Sequence, residues 1–413
     1  MTLELSGQQQ KAIEMVRNWR GRWHNGDRSQ QVFRLFGAAG TGKTTIARLL
    51  SSAADSIVRN AAPTGKAASV LTKKGCPATT IHKLIYQPME AGKAKLEELK
   101  KEESAILKEM EDSTGPTHQL QEELREVRNK IRAENDALSR PFFALKLESD
   151  LREADLLNLD ESSMVDQMTG EDLLSFNVPI LALGDPFQLP PVKGAGFFTQ
   201  VQPDILLTEV HRQALGSPIL ELATIVRQGH ALPPNFDKTT DSGTARIHRG
   251  KPDPTEVIAA DQILCGRNST RVSLNRRCRE LLGYSEALPM TGDRLVCLKN
   301  NHDLGLMNGT IWNVVHNYGM CASRQMTLDL VSEDGVQLHG VLVHTPPFLG
   351  KEVERWELRD AEHFDFGYAL TVHKSQGSEW PSVVLFDDWT ANDRQKWLYT
   401  GITRASEKLI IVQ

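Results

Sequence analysis

The chain is most constrained by the stretch Gly37-Ala38-Ala39-Gly40-Thr41-Gly42-Lys43-Thr44, which fits the pattern G-x-x-x-x-G-K-S/T. An apolar, strand-like run (Val32 to Phe36) precedes it, and a helical pattern (Thr45 to Leu50) follows. A phosphate-binding loop needs that context. Glycines let successive N–H groups converge on one point, and the next helix N-terminus adds partial positive charge. In such a loop Lys43 would reach the outer phosphates and the Thr44 hydroxyl would ligate Mg²⁺. The alternative is an ordinary Gly-rich turn between a strand and a helix, and the rest of the chain decides against it.

At 413 residues, with 40% apolar and 24% charged side chains, the chain has room for two or more cores of ordinary globular composition. Its net charge of −5 gives no hint of nucleic acid, so any such surface must be a local groove on an acidic body. The five cysteines (Cys76, Cys265, Cys278, Cys297, Cys321) are scattered and odd in number. They read as reduced thiols of a cytoplasmic protein, with neither a zinc site nor a disulfide framework. No signal-peptide pattern and no apolar run near membrane-spanning length is present, so no membrane partner is expected.

Along the chain, Ser6 is a helix N-cap candidate, with Ala12, Ile13, Val16 and Trp19 as an apolar stripe. On that helix Gln9 is either a solvated side chain or, just ahead of a phosphate loop, an amide able to read adenine. Pro63-Thr64-Gly65-Lys66 and Thr79-Thr80-Ile81-His82 place hydroxyls and an imidazole at element ends. Such ends suit both helix capping and contact with a phosphate backbone. Residues 90–140 are rich in Glu, Lys, Gln and Arg. Leu96, Leu99, Ile106 and Met110, then Leu120, Leu124, Val127 and Ile131, follow heptad-like spacing on either side of Ser113 to Pro116. That predicts an antiparallel helical hairpin, either a solvated arm or a docking site.

The run Leu156-Leu157-Asn158-Leu159-Asp160-Glu161 is an apolar strand ending in two carboxylates. After a phosphate loop, such a pair supplies a Mg²⁺ ligand (Asp160) and a general base for the attacking water (Glu161). Gln188, just after the buried run Ile180 to Leu183, sits where an amide could sense the outermost phosphate, and Arg212 is a candidate for charge stabilisation. Residues 231–256 read as an irregular surface segment. Residues 290–357 read as short strands of a small barrel. The last fifty residues return to α/β character.

The ordered set of motifs resembles a superfamily 1 helicase: GAAGTGKTT (37–45), APTGKAA (62–68), TTIHK (79–83), LDESSM (159–164), LGDPFQLPPV (183–192), LTEVHRQ (207–213), LTVHKSQGSEW (370–380) and LYTGITRA (398–405). The TIH, DESSM and HKSQG forms resemble the 5′→3′ branch, superfamily 1B, with RecD and above all Dda-like phage helicases. The resemblance implies an α/β fold of two RecA-like, parallel-sheet P-loop NTPase domains. The first would comprise residues 1–86 and 150–200, with residues 87–149 a pin and helical-hairpin insertion. The second would comprise 201–284 and 362–413, with 285–361 an SH3-like β insertion.

It also implies ATP and Mg²⁺ as cofactors. Gln9, Gly37, Gly40, Thr41, Gly42, Lys43, Thr44 and Thr45 would hold ATP, together with His211 at an adenine-stacking position and Glu379 at a ribose position. Thr44 and Asp160 would hold the metal, and Lys43, Glu161, Gln188, Arg212 and Arg404 would be catalytic, the two arginines as fingers from the second domain. Pro63, Thr64, Thr80, His82, Thr371 and His373 match DNA-contacting positions, and Phe142 or Phe143 would be the strand-separating wedge. The implied partners are single-stranded and forked DNA, with a replication or recombination protein docked on residues 92–138 of a monomer. Competing readings are a RecD-like translocase subunit that needs a partner and a non-catalytic scaffold.

Overall fold

The structure is a computed structural model. It describes all residues except 1–4, 53–55, 89–92, 113–117, 140–142, 147, 192–193, 210–215, 302, 323 and 354–360. Two six-stranded sheets and a smaller antiparallel one account for its cores.

The first sheet is parallel throughout, in the order Ala78–Thr80, Val58–Ala62, Leu156–Leu159, Ile180–Gly184, Val32–Gly37, Ile205–Leu207. Its central strands Leu156–Leu159 and Ile180–Gly184 are buried on both faces, as those of a sheet covered by helices on both sides must be. Phe33, Leu35, Leu181 and Leu183 pack with Ala12, Ile13, Val16 and Trp19 of the helix Gly7–His24 and with Ile46 and Leu50 of the helix Lys43–Ser51. The alternate residues Leu157, Leu159, Ile180 and Ala182 pack on the other face with Ile81, Ile85, Leu173 and Phe198. The period of two along each strand decides which side chain goes to which core.

The second sheet runs Ala369–Thr371, Gln262–Cys265, Trp380–Phe386, Ala405–Val412, Gly243–His248, Asp237–Thr240, parallel except for the last pair. One face holds Ile247, Leu264, Leu385 and Ile411 against Leu222 and Val226 of the helix Pro218–Arg227 and Trp397 of the helix Arg394–Ile402. The Asp237–Thr240/Gly243–His248 hairpin lies in a segment that composition marks as irregular. Gly243, at φ 128°, follows its two-residue connection, and pairing of Thr244 to His248 with Lys408 to Val412 fixes it as strand. The partner supplying that order lies 164 residues away in register (Thr244 to Lys408), beyond the reach of a local pattern.

The antiparallel sheet joins Gln337–His344, Gln325–Ser332, Ile311–Ala322, Arg294–Cys297 and Phe364–Phe366 around Leu295, Trp312, Leu328, Val343 and Phe364. A bridge from Val343 to Glu362 brings its first strand beside the chain entering its last. Between the early strands of the first sheet, Tyr86–Pro88 pairs antiparallel with Phe143–Leu145. From that two-stranded ladder rise the helices Lys93–Asp112 and His118–Ser139, which bury Ile106, Leu124 and Val127 against one another. Among the described residues no helix is long and apolar enough to cross a membrane.

Candidate functional site

Leu156–Leu159, Ile180–Gly184 and Val32–Gly37 are neighbours in one parallel sheet, so the three loops that leave their carboxyl ends meet. The first of these to matter is shaped by glycine. Gly40 (φ 76°) and Gly42 (φ 82°) hold left-handed conformations, and a Cβ on Gly42 would fall 2.2 Å from Gln9 Nε2. Thr41 Oγ1 donates to the Ala38 carbonyl (2.9 Å), and Lys43 Nζ donates to the carbonyls of Gly37 (2.6 Å) and Ala38 (3.1 Å). Thr44 and Thr45, half-buried, lie in the first turn of the helix that follows.

Gln9 is 2% exposed, which removes the solvated alternative. Its Oε1 accepts the Ser6 N–H and its Nε2 donates to the Thr41 carbonyl, both at 3.0 Å. Ser6 and Gln9 cap one helix reciprocally, and the same amide braces the phosphate loop. The S-x-x-Q spacing of Ser6 and Gln9 carries that signal in the sequence.

Asp160 Oδ1 accepts the Glu161 N–H (2.9 Å), and Glu161 has φ 50°, strained for a residue with a Cβ. Burial pushes both carboxyl groups above the ordinary carboxylate range. For Asp160 the Glu161 N–H and the charges of Lys43 and Lys74 oppose that shift. For Glu161 the Arg404 guanidinium opposes it most, while neighbouring Asp160 adds to it. Gln188, 6% exposed, carries a buried Oε1 that no described residue bonds. An unpaired buried amide oxygen is costly, and a ligand in the cleft would satisfy it.

Arg404 comes from the second sheet unit and is 4% exposed. Its Nε, Nη1 and Nη2 donate to Thr400 O (3.0 Å), Ser378 O (3.1 Å) and Thr403 Oγ1 (3.2 Å), which aim it rigidly. Glu379 is instead paired with Lys74 of the first unit (3.1 Å). His211 and Arg212 lie outside the described residues.

Beside this cleft a cavity of about 760 Å³ opens between the two units and the antiparallel sheet. Pro63, Thr64, Thr80, His82 and His373 line it. Thr64 and Thr80 also cap the helices that start there, accepting the N–H groups of Ala67 and Lys83. Capping and lining are compatible. Thr371 is buried and caps the Lys374 turn without lining the cavity. Phe143 lies in the strand paired with Pro88, and Phe142 lies outside the described residues. The sequence reading missed the cavity's charge: Lys66, Lys83, Lys146, Lys299 and Lys374 line it, and none of its described lining residues is acidic. Lys66, Lys83 and Lys374 stood in quoted motifs, whereas Lys146 and Lys299 had no local signal. The antiparallel sheet reaches the helix Gly65–Lys73 through Lys66–Glu333 (3.0 Å) and Lys73–Asp334 ion pairs.

The AAA domain family profile matches residues 5–251, and that of the UvrD-like helicase C-terminal domain matches residues 366–412. The chain is 29% identical over 406 residues to the ATP-dependent RecD2 DNA helicase of Deinococcus radiodurans, covering 91% of this chain and 46% of that protein. An uncharacterized protein of Methanocaldococcus jannaschii is 23% identical over 471 residues, covering 92% of this chain and 36% of that protein. The chain thus spans less than half the length of these relatives. The fold resembles the Bacteroides Pif1 helicase solved with ADP-AlF3 and single-stranded DNA (TM-score 0.53, 17% identity, 99% of this chain and 92% of that one). It also resembles Pif1 from Candida albicans (TM-score 0.51, 17% identity, 100% and 95%). The chain belongs to the AAA domain family, and its two-sheet core has the fold seen in the Pif1 structures.

Proposed function

We propose that this chain is an ATP-driven translocase on single-stranded DNA that unwinds duplexes 5′→3′. The observation that carries the reading is that the buried Arg404, from the second unit, acts electrostatically on Glu161 of the half-buried Asp160–Glu161 pair at the phosphate loop of the first. A lysine-lined channel lies beside that cleft. Relatives whose names specify ATP-dependent DNA unwinding or complexes with single-stranded DNA support it.

In this reading the amides of residues 37–44 and Lys43 bind the phosphates, and Gln9, whose amide now braces the loop, would turn to the base when ATP binds. Thr44 and Asp160 fit a Mg²⁺ ion, a hydroxyl and a carboxylate being the oxygen donors such a site uses; bound there, the ion would neutralise phosphate charge. Glu161 takes a proton from the attacking water, and its raised pKa strengthens it as a base. Gln188 holds that water or the outermost phosphate. Arg404 and Arg212 add positive charge only when the units close, which ties hydrolysis to domain movement. Pro63, Thr64, Thr80, His82 and His373, with the cavity lysines, grip the backbone without reading sequence, while the buried Thr371 caps the turn that carries His373.

The ladder Tyr86–Pro88/Phe143–Leu145 serves as the base of the strand-separating pin, with Phe142 or Phe143 as wedge, and the antiparallel sheet serves as the SH3-like cover. The helix pair above the ladder is a docking arm for a replication or recombination protein, and a compact motor of this kind suits phage replication.

The test uses partial duplexes with either a 5′ or a 3′ single-stranded tail, with ATP and Mg²⁺. Strand release from the 5′-tailed duplex alone is expected. Release from the 3′-tailed one alone would overturn the polarity. Release from neither, with DNA-stimulated hydrolysis intact, would favour a translocase that needs a partner. Lys43→Ala is expected to abolish hydrolysis stimulated by single-stranded DNA, and retained stimulation would refute the site.

A further inference from the structure

The helix Arg394–Ile402 belongs to the second sheet unit, yet Tyr399 on it is built into the first. Its side chain is 2% exposed. Its hydroxyl accepts the Ala39 N–H of the phosphate loop (2.9 Å) and donates to Asp185 Oδ2 (2.7 Å). Asp185, 1% exposed, uses its other oxygen to accept the Phe187 N–H (3.0 Å), one residue before Gln188. On the far side of Gln188, the Leu189 N–H donates to Thr400 Oγ1 (2.9 Å), and Gln376 Nε2 donates to the Leu189 carbonyl (2.7 Å). The second unit therefore holds the Gln188 loop at both ends. The same turn of chain sets Arg404, whose Nε rests on the Thr400 carbonyl.

We propose that Tyr399 is a positioning residue for hydrolysis: one hydroxyl joins the phosphate loop to the Gln188 loop across the cleft and keeps both in register with Arg404. The proposal rests on the ATPase reading above and assigns a role to a side chain that the nucleotide chemistry does not itself require. Burial and the Asp185 charge push the Tyr399 phenol above its ordinary range, so it keeps its proton and can donate. In a buried chain of this kind each member fixes the next, and loss of one leaves two polar groups unpaired. The ring alone packs edge-on to Phe187 (6.2 Å between centroids), a contact that phenylalanine would preserve.

Tyr399→Phe separates the two contributions. We expect kcat of single-stranded-DNA-stimulated hydrolysis to fall roughly tenfold, with KM for ATP nearly unchanged. Because the hydroxyl acts through Gln188, the double variant Tyr399→Phe/Gln188→Ala is expected to be no slower than Gln188→Ala alone. A wild-type kcat in Tyr399→Phe, or additive losses in the double variant, would overturn the proposal. Amide hydrogen exchange gives a readout independent of turnover. Peptides covering residues 37–43 and 184–190 should both exchange faster in Tyr399→Phe, and unchanged exchange in either loop would also overturn it. A wild-type chain that hydrolyses no ATP would instead refute the proposed function, while the exchange comparison would still decide the role of Tyr399.

Discussion

At the scale of single residues, the phosphate loop shows how little freedom the site has. Gly42 combines a left-handed φ with a neighbouring amide that cannot step aside, because Gln9 is tied to both Ser6 and Thr41. Gly42→Ala is therefore expected to cost about 1–2 kcal/mol in stability by denaturant titration and to raise KM for ATP. A different residue governs acid sensitivity. Burial, aided by the nearby His344, pulls the His363 imidazole from 6.5 down to about 4. Between those values the unfolded chain binds a proton that the folded chain refuses. Its contribution to stability is thus whole above pH 6.5 and is lost as pH falls towards 4. Denaturation followed across that window should show a shallower decline for His363→Gln than for the parent chain. Residues whose placement follows from a local pattern were legible in the sequence: Lys43 and Thr44 at the loop, Asp160 and Glu161 at a strand end, Ser6 as a helix cap. The bracing by Gln9 was half legible, since S-x-x-Q is local but its contact with Thr41 joins positions 32 residues apart.

At the scale of elements, the parallel strands were legible because each is a short apolar run bounded by turn residues, and the loops after them carry the motifs. The helix Lys43–Ser51 begins two residues before the expected run Thr45 to Leu50, since the loop's own Lys43 and Thr44 form its first turn. The hairpin Asp237–Thr240/Gly243–His248 was not legible, because a strand distant in sequence decides it. Tyr399 was missed for the same reason: it stood inside a quoted motif, but its partners Ala39 and Asp185 belong to another sheet. The helices Lys93–Asp112 and His118–Ser139 have a small core of their own and an ion pair, Arg128–Glu103 at 2.7 Å. Deleting residues 92–138 is expected to leave DNA-stimulated hydrolysis largely intact. A collapse of that activity in a steady-state assay would show that the arm supports the motor.

At the scale of the whole molecule, charge is unevenly spread. The chain carries a net −5, while five lysines and no described acid face the channel. Binding to single-stranded DNA should weaken with salt, the logarithmic slope falling by roughly 0.7 for each phosphate contact. Lys374→Ala should flatten that slope by about 0.7 without creating a base preference, as read by titrating labelled oligonucleotides at several ionic strengths. The field also bears on life in a crowded cell. Under the proposed function, a polyanion approaching the net-negative body would be favoured mainly where the lysine-lined slot opens, and collisions with duplex would tend to end in parting rather than in sliding. Under the proposed function the molecule would act as a sieve for loose strands: abundant paired DNA would not soak it up, and a strand it dropped would not be easily regained. How far such a motor would travel on one visit would then be set by whether the two halves ever let go together.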